Sequence, residues 1–577
     1  MNSKVHYSLK IEDAHQHKVK VSMEFSWPSN KNTLDFFMPS WSPGSYLMRE
    51  YGRFVRSIVA TNELGDRYFV EQLDKGTWRV KQNQSGLAQG KKLHFSYEVY
   101  CHELTVRTSH VDCNHAFIHG PSVFMGIDGF GQLPIQLDLS FPAEWNKVTT
   151  GLKDVSKVRN EFKYESPNYD DFIDCPLEIG NHVTDGFQID GKDHELAFFG
   201  GLLPHGNKVK EDMKTIVNHI ASYMGGMPYD RYVFMTHLVP GLYGGLEHKN
   251  STALQFSSMN FANRDDYINW MCLVSHEYFH TWNVKRIRPK TFGPFDYRKE
   301  AESSLLWLAE GLTSFMDELF VFQCGLITLE EYLKLQTKNF KRYFETPGRK
   351  FHSLEESGFN AWNTLYKPVE NSSNSSVSYY LKGGIAFFVL NTFFALKEKS
   401  IKDFIDLLWE RYLKDPENGM DKKEVLEAIE NVGGVDTREL FENWIETTDE
   451  LPIHDALKSI GLEIEYDLPS GVDLGMATRF EGDRVFVKSV ELDRSAYRDG
   501  LNPEDEIIAI NNMRVDRNNF SSLEKMLLES EVYELTISRL NYVQTIKIAP
   551  MKKAPEVKSI LIKDEVKARS ALAWQLK

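Results

Sequence analysis

The run Met271-Cys272-Leu273-Val274-Ser275-His276-Glu277-Tyr278-Phe279-His280-Thr281-Trp282-Asn283 carries two histidines four residues apart with a glutamate between them. Trp270, Leu273, Val274 and Phe279 recur at helical spacing, which predicts a buried helix over this stretch. On such a helix His276 and His280 project from one face, so both imidazoles reach a single zinc ion. Glu277, beside them, is placed to work on a water at that ion.

A zinc site that does chemistry needs a third protein ligand and one open position. The best candidate is Glu310, in Ser304-Leu305-Leu306-Trp307-Leu308-Ala309-Glu310-Gly311-Leu312-Thr313-Ser314-Phe315-Met316-Asp317. It is an acidic residue in a mostly apolar helical run, and a carboxylate is rarely buried without a partner such as a metal. The competing reading is an exposed helix glutamate. Asp317, two turns on, could orient a ligating histidine as a hydrogen-bond acceptor.

Trp307-Leu308-Ala309-Glu310-Gly311 downstream of His276-Glu277-Tyr278-Phe279-His280 resembles the gluzincin metallopeptidases, the aminopeptidase N-like clan. Within it, the continuation Thr281-Trp282-Asn283-Val284-Lys285-Arg286-Ile287-Arg288-Pro289 looks like the glycyl aminopeptidase family. So do Gly244-Gly245-Leu246-Glu247-His248, Tyr379-Tyr380-Leu381-Lys382-Gly383-Gly384 and Pro39-Ser40-Trp41-Ser42-Pro43-Gly44-Ser45-Tyr46. The likeness spans nearly the whole chain.

This resemblance implies one zinc ion per chain held by His276, His280 and Glu310, with Glu277 as general base. It implies that Tyr380 stabilises the oxyanion, with Tyr379 as the competing assignment. Gly244, Gly245 and Glu247 would bind substrate: the glycines admit an extended peptide backbone, and Glu247 pairs with its free N-terminal ammonium. Leu246 and His248 depart from the aminopeptidase N pattern, and His248 reads as a supporting hydrogen-bonding residue. The expected activity is an aminopeptidase favouring N-terminal glycine or alanine. Two alternatives stay open: a thermolysin-like endopeptidase, and a peptide-binding protein with a structural zinc.

Composition suits a multidomain enzyme. The 577 residues are 42% hydrophobic and carry a net charge of −15, with no long basic block, so nucleic acid and membrane are poor partner expectations. The five cysteines lack metal-type spacing and read as free thiols of a reducing compartment. The N-terminus has no signal-peptide core, and no run approaches the roughly 18 apolar residues of a membrane span. The expected location is cytoplasmic.

The predicted fold is multidomain α+β. Residues 1–205 alternate apolar and polar, as in Val19-Lys20-Val21-Ser22-Met23-Glu24-Phe25, and predict a β-sandwich-like domain. Residues 206–450 turn helical, and the resemblance implies a thermolysin-like catalytic domain. Residues 451–553 resemble a PDZ domain around Ser495-Ala496-Tyr497-Arg498-Asp499-Gly500-Leu501 and Glu506-Ile507-Ile508-Ala509-Ile510. Such a module implies a C-terminal peptide ligand captured near Asp473-Leu474-Gly475-Met476, or a purely structural role. Residues 554–577 read as a charged tail, helical in pattern.

Overall fold

The computed structural model describes residues 4–28, 31–82, 92–201, 206–529 and 531–573. The expected boundary at residue 205 and the end of the expected tail, 574–577, lie outside these. The chain divides into two compact units, Met1–Ala301 with Trp409–Met420, and Glu302–Leu408 with Asp421–Lys577. The fold is multidomain α+β, with a β-rich N-terminal part and a helical region after it.

In the first unit, alternation builds the expected sheet. Strand Lys18–Ser26 pairs antiparallel with Lys92–Tyr100 in a register that sets Val19 opposite Val99, Val21 opposite Tyr97 and Met23 opposite Phe95. All six side chains are buried, each contributing about 1.5–3 kcal/mol for leaving water. These strands belong to a seven-stranded sheet whose Val5–Lys10 and Ile135–Ser140 run parallel. A four-stranded sheet (Gly126–Ile127, Thr33–Phe37, Thr77–Lys81, Phe69–Asp74) shares its core, and Phe36 stacks on Phe95 across the layers with ring centroids 4.0 Å apart.

A further five-stranded sheet runs in the order Val183–Ile189, Lys192–Gly200, Arg231–Leu238, Ser251–Phe256, Gly244–Glu247. It takes strands from both sides of residue 205, where the sequence suggested a change of domain. Arg231–Leu238 is buried at nearly every position, so it shows none of the alternation that marks a half-buried strand. Gly244–Glu247 is the antiparallel edge strand. Below it lies the helix Arg264–Phe279, started by Asn263, whose side chain accepts from the Asp265 and Asp266 amides.

The second unit is helical from Leu312–Gln323 to Val435–Glu446, and its C-terminal part is β-rich. Strands Met476–Glu481, Arg484–Val490, Glu506–Ile510, Tyr533–Arg539 and Tyr542–Ile548 form one sheet around Leu474, Val485, Val487, Leu535 and Ile537. Helix Ser495–Asp499 ends on Gly500 at φ +89°, a left-handed cap that suits glycine. The expectation of a helical tail is corrected: Glu556–Ile562 is a strand paired with Leu462–Asp467, and only Glu565–Leu572 is helical. One short strand among charges leaves too little periodicity to read, and its partner is far back in the chain. Among the described residues no helix is long and apolar enough to cross a membrane.

Candidate active site

His276 sits on the last turn of the helix Arg264–Phe279 and His280 caps its C-terminus, with ring centroids 4.6 Å apart and planes at 86°. His280 is buried, and its Nδ1 lies 2.6 Å from the Asn283 carbonyl oxygen. A carbonyl only accepts, so Nδ1 carries the proton and Nε2 keeps its lone pair. That is the tautomer a metal ligand requires, set by the turn that follows the helix. Glu277 is buried beside the pair.

The edge strand Gly244–Glu247 brings the other carboxylate. Glu247, Glu277 and His280 each offer a ligating atom within 4.8 Å of the others. A side chain at Gly245 would place Cβ 2.1 Å from Glu277 Oε1, so the bare backbone is what lets the strand lie against the glutamate. Arg107 Nη2 donates to the Gly245 carbonyl oxygen at 3.2 Å and holds that strand from the other side. Gly44 does for Glu247 what Gly245 does for Glu277. Its φ is +81°, and a Cβ there would stand 2.4 Å from Glu247 Oε2. Glu247 is 4% exposed, and its Oε1 has no hydrogen-bond partner among the described residues.

Glu247 and Gly44 line a cavity of about 470 Å³, together with Trp41, Tyr46, Lys285 and Phe292. Tyr46 and Phe292 stack on each other in its wall with centroids 5.5 Å apart. His248 is buried and faces Asp174, with Nδ1 3.2 Å from Oδ1. Asp174 also accepts from Lys285 Nζ at 2.7 Å and from the Lys249 amide at 2.8 Å. Burial pushes the Asp174 carboxyl up, but Lys285 and His248 outweigh it and hold the group well below the usual carboxylate range. Burial draws Lys285 down while Asp174 and Glu247 push it up more, so its ammonium stays charged. Asp174 was not singled out from the sequence. The only sign of its partner was the basic run Lys285-Arg286-Ile287-Arg288.

In the second unit Glu310 lies on a π-helical turn, Trp307–Gly311, and is 2% exposed. A π turn widens the helix by one residue and re-aims its side chains, and such turns gather at functional sites. Gly311 ends that turn against the helix Tyr379–Ala395. A Cβ at Gly311 would come 2.8 Å from Gly383 Cα, and one at Gly383 would come 3.0 Å from Gly311 Cα. The glycines of two separate motifs thus meet, and their contact sets Glu310 relative to Tyr379 and Tyr380. Tyr379 is fully buried, whereas Tyr380 is half-buried and lines a cavity of about 180 Å³ with Ser314, Asp317 and Glu318. Asp317 is itself buried. Burial and the neighbouring Asp317 push the Glu318 carboxyl up, while Gln336 and Asn339 donate to it.

Residues 6–181 match the peptidase M61 N-terminal domain, and residues 269–386 match the M61 glycyl aminopeptidase family. The chain therefore carries peptidase M61 family domains. His276, Glu277, His280, Glu310 and Tyr380 fall in the second region and Gly44 in the first, while Glu247 lies between the two. None of the curated proteins matches the chain. Among solved structures it is similar to an aminopeptidase N family protein from Idiomarina loihiensis, at 26% identity and TM-score 0.91 over 98% of this chain and 100% of that one. A variant M1 zinc metallopeptidase from Deinococcus radiodurans aligns at 15% identity and TM-score 0.51 over 78% of this chain and 96% of that one. That second likeness is one of fold.

Proposed function

We propose that the protein is a zinc-dependent aminopeptidase that removes N-terminal residues, glycine and alanine by preference, from peptides. The observation that carries this reading is Glu247: a buried carboxylate with an unpartnered oxygen, close to Glu277 and His280 and facing a cavity. Burying such a charge is costly unless a cation meets it. The ammonium of a free peptide N-terminus is a cation of the right size, and pairing it with Glu247 presents the first peptide bond to Glu277. Gly244 and Gly245, on the edge of the sheet, leave room for the substrate backbone.

The zinc ligands in this reading are His276, His280 and Glu310, one ion per chain. The lone pair held on His280 Nε2 and the buried carboxylate on the π turn are the donors such an ion takes. Zinc bound there would supply Lewis acidity to the scissile carbonyl and to the attacking water. Glu277 takes the proton from that water and returns it to the leaving amine. The Tyr380 hydroxyl donates to the oxygen that becomes negative as the carbonyl turns tetrahedral. Full burial of Tyr379 supports Tyr380 in that role. Asp317, buried two helical turns after Glu310, would orient a ligating histidine as a hydrogen-bond acceptor. Within 451–553 we read a PDZ-like module, whose edge strand Met476–Glu481 is where an extended C-terminal peptide would add.

The test is a panel of aminoacyl anilides and peptides with free and N-acetylated termini, run on zinc-loaded protein. Free N-terminal glycine and alanine substrates are expected to turn over and their acetylated forms to resist. Internal cleavage of blocked peptides at equal rates would replace this reading with a thermolysin-like endopeptidase. Stoichiometric zinc without any turnover would leave a binding protein with a structural metal. Glu310→Ala is expected to lose zinc and activity together.

A further inference from the structure

The first unit holds further groups of metal-type donors that are not on the helix Arg264–Phe279, and one of them is carried by a single hairpin. His110-Val111-Asp112-Cys113-Asn114-His115 forms a tight hairpin in which His110–Val111 pairs antiparallel with His115–Ile118. His110, Asp112 and His115 each offer a ligating atom within 4.8 Å of the others. His110 Nε2 already lies 3.5 Å from Asp112 Oδ2. Adjacent donors in a tetrahedral zinc shell sit about 3.3 Å apart, so small side-chain rotations complete the approach.

Both imidazoles are held in one tautomer by the fold. His110 Nδ1 lies 2.6 Å from the His102 carbonyl oxygen, so it carries the proton and leaves the Nε2 lone pair free. His115 Nδ1 lies 2.7 Å from Glu178 Oε1, and the other oxygen of Glu178 is taken by His237 Nε2 at 2.9 Å. His115 is fully buried, and its Nε2 has no hydrogen-bond partner among the described residues. A carboxylate behind a histidine whose far nitrogen is unpartnered is the arrangement that orients a metal ligand. Asp112 is fixed too: Oδ1 accepts from the Asn114 amide at 2.7 Å and the His115 amide at 3.0 Å, and Oδ2 accepts from Asn114 Nδ2 at 3.2 Å.

We propose that His110, Asp112 and His115 bind a second divalent ion of the zinc class, with Glu178 and the His102 carbonyl as the groups that orient the two histidines. Two imidazoles and one carboxylate are a borderline donor set that suits zinc over calcium or magnesium. The site has a structural consequence for the substrate strand. His102 and His110 bracket the loop that carries Arg107, whose guanidinium holds the Gly245 carbonyl. An ion at the hairpin ties down the far end of that loop and stiffens the strand Gly244–Glu247 through Arg107.

The experiment counts zinc in the full-length chain after chelator treatment and reloading at micromolar free zinc, with His276→Ala/His280→Ala as the background that isolates the hairpin. Two ions are expected in the unaltered chain and one in that background. Adding His110→Ala or Asp112→Asn should remove the remaining ion, or weaken its affinity at least tenfold. Asp112→Asn keeps an oxygen that accepts from the Asn114 and His115 amides, so its metal-free melting temperature should stay near the parent value, while the rise on adding zinc disappears in both variants. No zinc in the His276→Ala/His280→Ala background would overturn the proposal. So would an ion there that binds equally well after both hairpin substitutions. Since the hairpin ion is read in a chain without His276 and His280, its outcome is separate from that of the aminopeptidase reading.

Discussion

Gly44→Ala isolates the placement of Glu247 from its charge. The new Cβ would stand 2.4 Å from Glu247 Oε2 and 2.5 Å from Oε1. Ordinary contact between such atoms begins near 3.4 Å, so the carboxylate must retreat by about 1 Å. The retreating atoms are the far end of a flexible side chain, so the clash itself costs the fold little. The φ of +81° adds strain of about 1–2 kcal/mol for any residue with a Cβ. Stability should thus fall modestly while the Glu247 carboxylate shifts by an ångström, a displacement that, if Glu247 holds the substrate ammonium as proposed, lowers catalysis on the order of 10²-fold. The assay is kcat/KM on glycyl and alanyl anilides beside the same substrates N-acetylated, with zinc content and a thermal melt on each preparation. The expected pattern is a large loss on free substrates, unchanged zinc and a narrowed gap between free and capped forms. A folded, zinc-replete Gly44→Ala protein with kcat/KM within twofold of the parent would refute the link between this glycine and substrate recognition.

The remaining predictions concern the other parts of the site. Glu277→Gln should retain zinc in metal analysis yet lose most turnover. Tyr380→Phe should lower kcat by roughly 10²–10³ with little change in KM, whereas Tyr379→Phe, altering a fully buried ring, should act mainly on the melting temperature. Gly311→Ala drives Cβ to 2.8 Å from Gly383 Cα and 3.0 Å from the Tyr379 carbonyl oxygen. These are backbone atoms that cannot swing away, so denaturant melts should show a loss of about 1–3 kcal/mol. Lys382 is fully buried, and burial draws its pKa down to about 8, with Glu450 and Asp449 pulling the other way. Below pH 8 both folded and unfolded chains carry this proton, and the cost of burying it is fully present. From pH 8 up to the ordinary lysine value only the unfolded chain carries it, so stability rises with pH. Lys382→Met should therefore stabilise the protein near neutral pH by up to about 3 kcal/mol, a gain that fades toward pH 10.5 in urea melts.

Local patterning was enough to place some of this molecule. The alternation at Val19, Val21, Met23 and Phe25 marks a half-buried strand because successive side chains point to opposite faces. Likewise, the spacing of Trp270, Leu273 and Val274 marks the helix that carries His276 and His280. Both signals have a period of a few residues and survive in one dimension. Where burial is complete on both faces, as in Arg231–Leu238, the period vanishes and the strand could not be read.

The remaining features depend on residues far apart in the chain. Nothing near Gly44 announces Glu247, and nothing near Gly311 announces Gly383; each pair meets only when its unit folds, because a missing Cβ matters only where another backbone or side chain arrives. The choice between Tyr379 and Tyr380 is of the same kind. Motif register favours Tyr380 over its neighbour, and packing around the helix Tyr379–Ala395 buries Tyr379 completely and leaves Tyr380 on a cavity. The tautomers of His110, His115 and His280 come from a carbonyl or carboxylate that the fold carries to one ring nitrogen. The residue types able to hold a metal and activate water could be named from sequence by their chemistry. Tertiary structure alone decided which ring nitrogens keep their lone pairs, which carboxylate oxygen lacks a hydrogen bond and which glycine makes room for it, since these depend on hydrogen bonds and excluded volume between distant parts of the chain.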